Sequence, residues 1–282
     1  MSASASLPPQ VVIIGAGPGD PELLTLKAIR HLQQADVILT DRLANPAIVE
    51  QFAPQAVIIP VGKQCRRQQS TPQASINELL VQHAQAGRYV VRLKGGDINV
   101  FGNILDELQA LHAHHIRYEL VPGVSAALGA AAAAGVPLTA RGYSKGIRLL
   151  TYYNHDAIAP ADWQNLATTT DTLIFYMSGE TCFELAAQLI AYGKPATTPI
   201  LLAEQATTPL QAFSLSTLGS CSQQWKAHRF LSPALLIIGE VAALHHQFGW
   251  APYQASPKEF FAPVRMAIAP AIAIPASQST IH

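Results

Sequence analysis

Short runs of β-branched and aliphatic residues recur along the first half of this chain. Each ends in a loop rich in Gly, Asp or Pro, and they alternate with segments of helical period. The runs are VVIIG (residues 11–15), DVILTD (36–41), AVIIPVG (56–62), YVVRLKGGD (89–97) and YELVPG (118–123). Unbroken apolar character suits strands of a parallel sheet, which helices cover on both faces. Between the runs, ELLTLKAIRHLQQA (22–35) places Leu23, Leu26, Ile29 and Leu32 at helical spacing. INELLVQHAQAG (76–87) is a helix closed by Gly87, and NILDELQALHAHHI (103–116) is another. VSAALGAAAAAG (124–135) is a helix of small residues that another element must approach closely. This alternation predicts an α/β fold. The loops GAGPGD, TDRL, VGKQ, KGGD and PGVS then fall on one sheet edge, where open α/β sheets bind ligands.

Past Pro137 the pattern changes. IRLLTYY (147–153), TLIFYM (172–177), PILLAEQA (199–206) and ALLIIGEV (234–241) are strand-like, with a helix over ETCFELAAQLIAYG (180–193). This predicts a flexible leader over 1–10, an N-terminal α/β domain over 11–139, a C-terminal α/β domain over 140–250, and an irregular Ala/Pro-rich tail over 251–282. A chain of 282 residues has room for two such domains.

Charge narrows the function classes. Eighteen basic and eighteen acidic residues give a net charge of zero, and charged residues make only 13% of the chain. A basic-patch nucleic-acid binder is not expected at zero net charge. No stretch reads as a membrane span, since Leu120 to Leu138 is interrupted by Pro and Gly and rich in weakly apolar Ala. The opening MSASASLPPQ has neither the basic nor the apolar region of a secretory signal. Cys65, Cys182 and Cys221 are far apart and odd in number, so the reducing cytoplasm is the expected location and no metal site is expected from them. His112, His114 and His115 could place two imidazoles on one helix face, but no carboxylate–His motif accompanies them.

GAGPGD follows a strand and precedes a helix, as a dinucleotide-binding loop does, yet its last position is Asp20. A carboxylate there caps a helix but repels a pyrophosphate, and Pro18 and Pro21 remove N–H donors. A nicotinamide oxidoreductase is therefore disfavoured. The opening VVIIGAGPGDPELLTLKAIRHLQQADVILTDRL instead resembles that of uroporphyrinogen-III C-methyltransferases, within the tetrapyrrole methylase superfamily. The likeness continues in order through VGK (61–63), RLKGGD (92–97), VPGVSAALGAAAAAGVPLT (121–139), TLIFYM (172–177), ATTPLQ (206–211) and SPALLIIGEV (232–241), covering roughly residues 11–250.

The resemblance implies two α/β domains with the ligand cleft between them, a homodimer, and S-adenosyl-L-methionine as methyl donor, with S-adenosyl-L-homocysteine as product. It implies two methyl transfers to uroporphyrinogen III, giving precorrin-2, the branch point to sirohaem and cobalamin. It puts Pro18, Gly95, Gly96, Asp97, Val100, Ser125, Ala126, Met177 and Ala206 at the cofactor. Asp41 matches a proton acceptor and Lys63 a proton donor. Read without it, Asp41 could be a helix cap or partner of Arg42, Lys63 a surface lysine and Met177 a core residue. A substrate with eight carboxylates calls for a basic cleft, and Lys63–Arg66–Arg67, Arg92–Lys94 and Arg141–Lys145–Arg148 are the basic clusters available. Arg66, Arg92, Asp106, Tyr152 and Tyr153 are the substrate-side candidates.

The substrate side departs from the family pattern. After GGD the usual Pro-Phe-x-Phe-Gly-Arg-Gly reads Ile98-Asn99-Val100-Phe101-Gly102-Asn103-Ile104, so Asn103 replaces an Arg, and Asp106 is the acid that aligns with the family Glu. Thr151-Tyr152-Tyr153 stands where Thr-Gly-His is usual, and Ala206 replaces a Gly. These changes leave open a methylase of the same superfamily with another substrate, or a cofactor-binding homologue with weakened catalysis.

Overall fold

The computed structural model describes residues 8–62, 72–152, 158–251 and 258–261. The first half is built from β1 (Val11–Gly15), α1 (Leu26–Leu32), β2 (Val37–Thr40), α2 (Pro46–Phe52), β3 (Val57–Pro60), α3 (Gln73–Gln85), β4 (Val90–Lys94), α4 (Leu105–Ala113), β5 (Tyr118–Val121) and α5 (Ala126–Ala134). The five strands form one sheet in the order β3-β2-β4-β1-β5, every neighbouring pair parallel. β1 and β4 lie side by side at its centre and are buried throughout. Alternate residues feed two cores. Val12, Ile14, Ile38 and Leu93 meet Ala28 and Leu32 of α1 on one face, while Val11, Ile13, Leu39 and Val90 meet Leu80 of α3 and Leu111 of α4 on the other.

The expected helix over 22–35 is divided. Asp20 caps a short 3-10 turn at Pro21–Leu23 by accepting from Glu22 N at 2.8 Å. Thr25 then caps α1, its Oγ1 taking Ala28 N–H at 3.1 Å. A threonine cap supplies an acceptor for the first unpaired amides, so the helix restarts there. α2 was not expected. Its signal is Asn45-Pro46, an N-cap followed by proline at the first helical position. The expected leader is tied down from Pro8 onward, because Arg117 Nε donates to Pro8 O and Gln10 pairs with Arg117 and Val90.

The second half comprises β6 (Ile147–Thr151), α6 (Pro160–Thr168), β7 (Thr172–Tyr176), α7 (Cys182–Ala191), β8 (Pro199–Glu204), β9 (Ala212–Thr217), α8 (Cys221–Gln224), β10 (Ala234–Ile238) and α9 (His245–Phe248). Its sheet runs β6-β7-β10-β8-β9 and is mixed: only β6 and β7 are parallel. The loop from β8 to β9 is too short for a crossover helix, which forces that pair antiparallel. β9 and α6 are elements the sequence pattern did not bring out.

α5 links the halves. Ala127, Ala130, Ala131 and Ala134 pack against Ile174, Leu201, Ala203, Leu235 and Ile237 of the second sheet. This is the close approach that the small-residue helix calls for, and it joins α5 by packing to the second sheet although it precedes the expected boundary. The tail is not wholly loose. Gln205 Nε2 donates to Lys258 O at 3.1 Å, Gln205 Oε1 accepts from Phe260 N at 2.5 Å, and Phe261 is buried. No helix among the described residues is long and apolar enough to cross a membrane.

Candidate active site

Three adjacent strands, β4, β1 and β5, end in glycine-bearing loops that touch through their backbones. Gly17 and Gly96 exchange hydrogen bonds, N to O, at 3.1 and 2.8 Å. A Cβ on Gly123 would lie 2.5 Å from Gly96 O and 2.7 Å from Gly15 O, so no larger residue fits where the loops meet. Asp97 fastens the arrangement: one carboxylate oxygen accepts Asn99 N at 2.8 Å, the other Gly123 N at 2.9 Å.

The second domain closes the other side. Asp20 N donates to Thr207 Oγ1 at 3.2 Å, and Gly19 packs so tightly on Thr207 and Thr208 that an added Cβ would fall 2.8 Å from Thr208 Cγ2. Pro18 is buried against Gly129 of α5. The Tyr176 hydroxyl is 2.6 Å from Ser125 Oγ and accepts Ala127 N–H at 3.2 Å, and burial raises its pKa. Phe101 sets its ring edge-on to Tyr176, with centroids 4.9 Å apart. Met177, one residue on, is half exposed with φ 59°. Of the residues expected at the cofactor, Gly95 and Val100 line a cavity, Asp97 and Gly96 belong to the touching loops, Ser125 is bonded to Tyr176, and Pro18 is buried against α5.

The cavity, of about 200 Å³, has Asp41, Arg42, Arg92, Lys94, Phe101 and Asn103 among its lining residues. Asp41 follows β2 and its side chain is 29% exposed. Arg92 Nη2 forms a short ion pair with Asp41 Oδ1. Arg92 Nε donates to Glu107 Oε1 at 2.9 Å, and Nη1 donates to Leu39 O and Leu93 O, each at 3.2 Å. Burial opposes the Arg92 charge, but Asp41 and Glu107 outweigh it and raise its pKa. Lys94 Nζ donates to both Glu107 oxygens at 3.1 and 3.2 Å. Burial, and then Arg92, lower the pKa of Lys94. Arg42 reaches over the cleft to Ser232 Oγ at 3.3 Å. A second hollow of about 380 Å³ adjoins through Phe101, lined by β6 and α6.

Several substrate-side expectations change. Arg92 is not a free carboxylate clamp: it is 2% exposed and its donors are taken up inside the protein. Asp106 is exposed on the outer face of α4, and Glu107, one residue on, is the acid turned to the sheet. Helical geometry puts Glu107 on the same inward face as Leu111, which turns Asp106 outward. Tyr152 is buried in the core, edge-on to Trp163, with its hydroxyl on Glu184 Oε1 at 2.9 Å, so it packs rather than lining the cleft. Lys63, Arg66 and Tyr153 lie outside the described residues. Glu107 and Tyr176 are not singled out by the sequence, and Arg42 enters there only as a possible partner of Asp41. Among the described residues, no three His, Cys, Asp or Glu side chains are grouped as metal ligands would be.

Comparison with known proteins agrees with this architecture. Residues 10–221 match the family model of the tetrapyrrole (corrin/porphyrin) methylases. The chain is a tetrapyrrole methylase. This methylase is 44% identical over 241 residues to a siroheme synthase of Nitrosomonas europaea, a match covering 86% of the chain but 50% of that relative. It therefore spans about half the length of the curated relatives it matches. The uroporphyrin-III C-methyltransferase of Thermus thermophilus, solved with S-adenosylhomocysteine, superposes at a TM-score of 0.70 with 36% identity, covering 83% of this chain and 99% of that one. A cobalt precorrin-4 methyltransferase superposes at 0.74 with 25% identity, covering 84% and 99%.

Proposed function

We propose that this methylase converts uroporphyrinogen III to precorrin-2 by two methyl transfers from S-adenosylmethionine. The observation that carries the proposal is Asp41, a half-open carboxylate held by Arg92 at a cavity beside the glycine loops. The loops suit the cofactor. Their backbones meet where no Cβ fits, and a carboxylate (Asp97 on Gly123 N), a hydroxyl (Ser125 on Tyr176) and a thioether (Met177, next after Tyr176) stand on or next to the elements that close there. The cofactor supplies a methyl group activated on a sulfonium.

Each transfer forms a bond at a pyrrole carbon and must release one proton, so the chain's work is alignment and proton management. Asp41 is the acceptor placed at the cavity. Its Oδ1 is held by Arg92, and among described residues its Oδ2 accepts no protein hydrogen bond. A cavity of 200 Å³ is below the roughly 300–1,000 Å³ of ligand pockets, so it takes one edge of the macrocycle while the rest lies over the mouth. Lys63 and Arg66 follow β3 in the chain and Tyr153 follows β6, and we assign them to the substrate side. Cytoplasmic location is supported by the two described cysteines, both buried free thiols, with Cys182 pushed up to about 12 by burial. A homodimer is supported by apolar side chains left open, Leu128 and Trp250 beside α5 among them.

The test is incubation with S-adenosylmethionine and enzymatically generated uroporphyrinogen III, followed by product mass. Two added methyl groups are expected, with Asp41→Asn binding S-adenosylhomocysteine normally but turning over little. Cofactor binding without turnover would favour a different substrate. That second reading is supported by Asn103 in place of Arg and by the internal pairing of Arg92 and Lys94, which leave fewer cations for eight carboxylates. Failure to bind S-adenosylhomocysteine in calorimetry would refute both.

A further inference from the structure

At the wall of the cavity, four charged side chains from three elements close into one network. Glu107 of α4 has no exposed surface, and Arg92 and Lys94 of β4 are 2% and 8% exposed at the side chain. Arg92, Lys94 and Asp41 line the cavity, and Asp41, after β2, is the most open of the four, with 29% of its side chain exposed. Two cations are matched by two anions, and Glu107 touches both cations. A buried cation without a partner is costly, so removing one anion drives the remaining groups to share the other. Without Glu107, Arg92 would lose its Nε partner and Lys94 the acceptor it bonds, with Asp41 the remaining anion of the network. Asp41 would be drawn inward with both oxygens engaged.

We propose that Glu107 is a positioning residue for Asp41. By taking Arg92 Nε and the Lys94 ammonium, it keeps Asp41 held through one oxygen and leaves the other available at the cavity. The proposal rests on the reading of Asp41 as proton acceptor. Glu107 itself does not touch substrate or cofactor, so its loss affects turnover rather than cofactor binding.

The experiment compares wild type, Glu107→Gln and the double variant Lys94→Met/Glu107→Gln. The single change leaves the network with one excess cation, and the double change removes that cation as well. Thermal midpoint, S-adenosylhomocysteine affinity, and kcat and KM with uroporphyrinogen III are measured on each. Glu107→Gln is expected to bind S-adenosylhomocysteine within about twofold of wild type. Its kcat is expected to fall on the order of 30- to 100-fold, the cost of a misplaced catalytic group. The double variant is expected to recover about tenfold or more, because the two sites are coupled. A folded Glu107→Gln with kcat near wild type overturns the proposal. So does parallel loss of kcat and cofactor affinity, which marks a merely structural role, or a double variant no better than the single. Should Glu107→Gln fail to fold, the double variant is compared with wild type directly, and a kcat more than about a hundredfold lower overturns the proposal. A wild type that binds cofactor but does not turn over overturns the substrate assignment instead. The network is then read from the Arg92 Nε–H resonance, which both Glu107→Gln and Asp41→Asn must move, and a signal unmoved by Glu107→Gln rejects the positioning role.

Discussion

Tyr176→Phe removes one oxygen and leaves the ring. That oxygen joins the end of β7 to the start of α5, 2.6 Å from Ser125 Oγ and 3.2 Å from Ala127 N. Ser125 stands at the N-cap of α5, yet its own side chain makes no capping bond, so the Tyr176 hydroxyl is what caps Ala127 N–H from the other domain. Losing a cap costs about 1 kcal/mol, and losing a bond between neutral hydroxyls about 1 more. The edge contact between Tyr176 and Phe101 survives in phenylalanine, so packing contributes little to the difference. The expected loss in a urea titration is therefore about 1.5–3 kcal/mol. Part of it reappears in binding, because Ser125, Ala126 and Met177 are the residues assigned to the cofactor and all adjoin this tether. Each 1.4 kcal/mol is tenfold, so S-adenosylhomocysteine should bind about 5- to 30-fold more weakly in calorimetry. Burial holds the Tyr176 pKa above its ordinary value of 10.0, so the hydroxyl stays protonated and the difference should be the same at neutral and mildly alkaline pH. Lost stability with an unchanged Kd would refute Tyr176 as part of the cofactor site. Unchanged stability would refute the tether itself.

Gly123→Ala forces a Cβ to within 2.5 Å of Gly96 O and 2.7 Å of Gly15 O, all backbone, so it should destabilise by about 1–3 kcal/mol and spread the three loops. Calorimetry with S-adenosylhomocysteine should show binding weakened at least about tenfold, and near-native affinity would mean the loops are not the cofactor cradle. Gln205→Ala removes both bonds to the 258–261 segment, so limited proteolysis should release the tail at lower protease concentration than in wild type. Equal resistance would show that the segment's other contacts, the buried Phe261 and the Arg229–Glu259 ion pair among them, hold it. Burial lowers the pKa of His83 below its ordinary 6.5, so the folded state holds fewer protons than the unfolded state between those two values. Stability must then fall as pH drops through 6.5. The urea midpoint should be lower at pH 5.5 than at 7.5, and His83→Gln should flatten part of that slope.

The first sheet is legible in the sequence because its strands are buried on both faces, and unbroken runs such as VVIIG and YVVRL have few alternatives. The second sheet is less so. β9 reads AFSLST, alternating apolar and polar on an edge strand, a pattern too short to separate from a loop before its pairing with β8 is known. The loops that bear glycine were legible for the same reason they matter: a residue without a Cβ is required where backbones meet. What one-dimensional reading missed is direction. Asp106 and Glu107 are adjacent acids, and only the rotation of α4 decides which one reaches Arg92. Tyr152 looked like a cleft residue because it stands where the family pattern has Gly beside the ligands, yet it points into the core beside Trp163. Arg92 was read as a clamp from its charge, whereas its place in the central strand β4 commits it to the interior.

That commitment changes how charge serves this site. The Arg92–Lys94–Asp41–Glu107 group is electrically balanced within itself, and its two cations, though they line the cavity, are nearly buried and paired inside the protein. Such a group cannot neutralise an octacarboxylate; what it can do is fix one carboxylate at a chosen point. Attraction for the substrate must then come from cations outside it. Arg141 and Lys145 are exposed ahead of β6, and Arg42 reaches over the cleft. On the proposed function, binding the polyanion and placing the proton acceptor then fall to different residues. Asn103 lines the same cavity as Asp41 without bonding to it, so on the proposed function an asparagine in place of arginine there should raise KM for a polycarboxylate more than it lowers kcat. Asn103→Arg should lower KM for uroporphyrinogen III by a larger factor than it changes kcat in steady-state assays, and a change confined to kcat would contradict this division of roles.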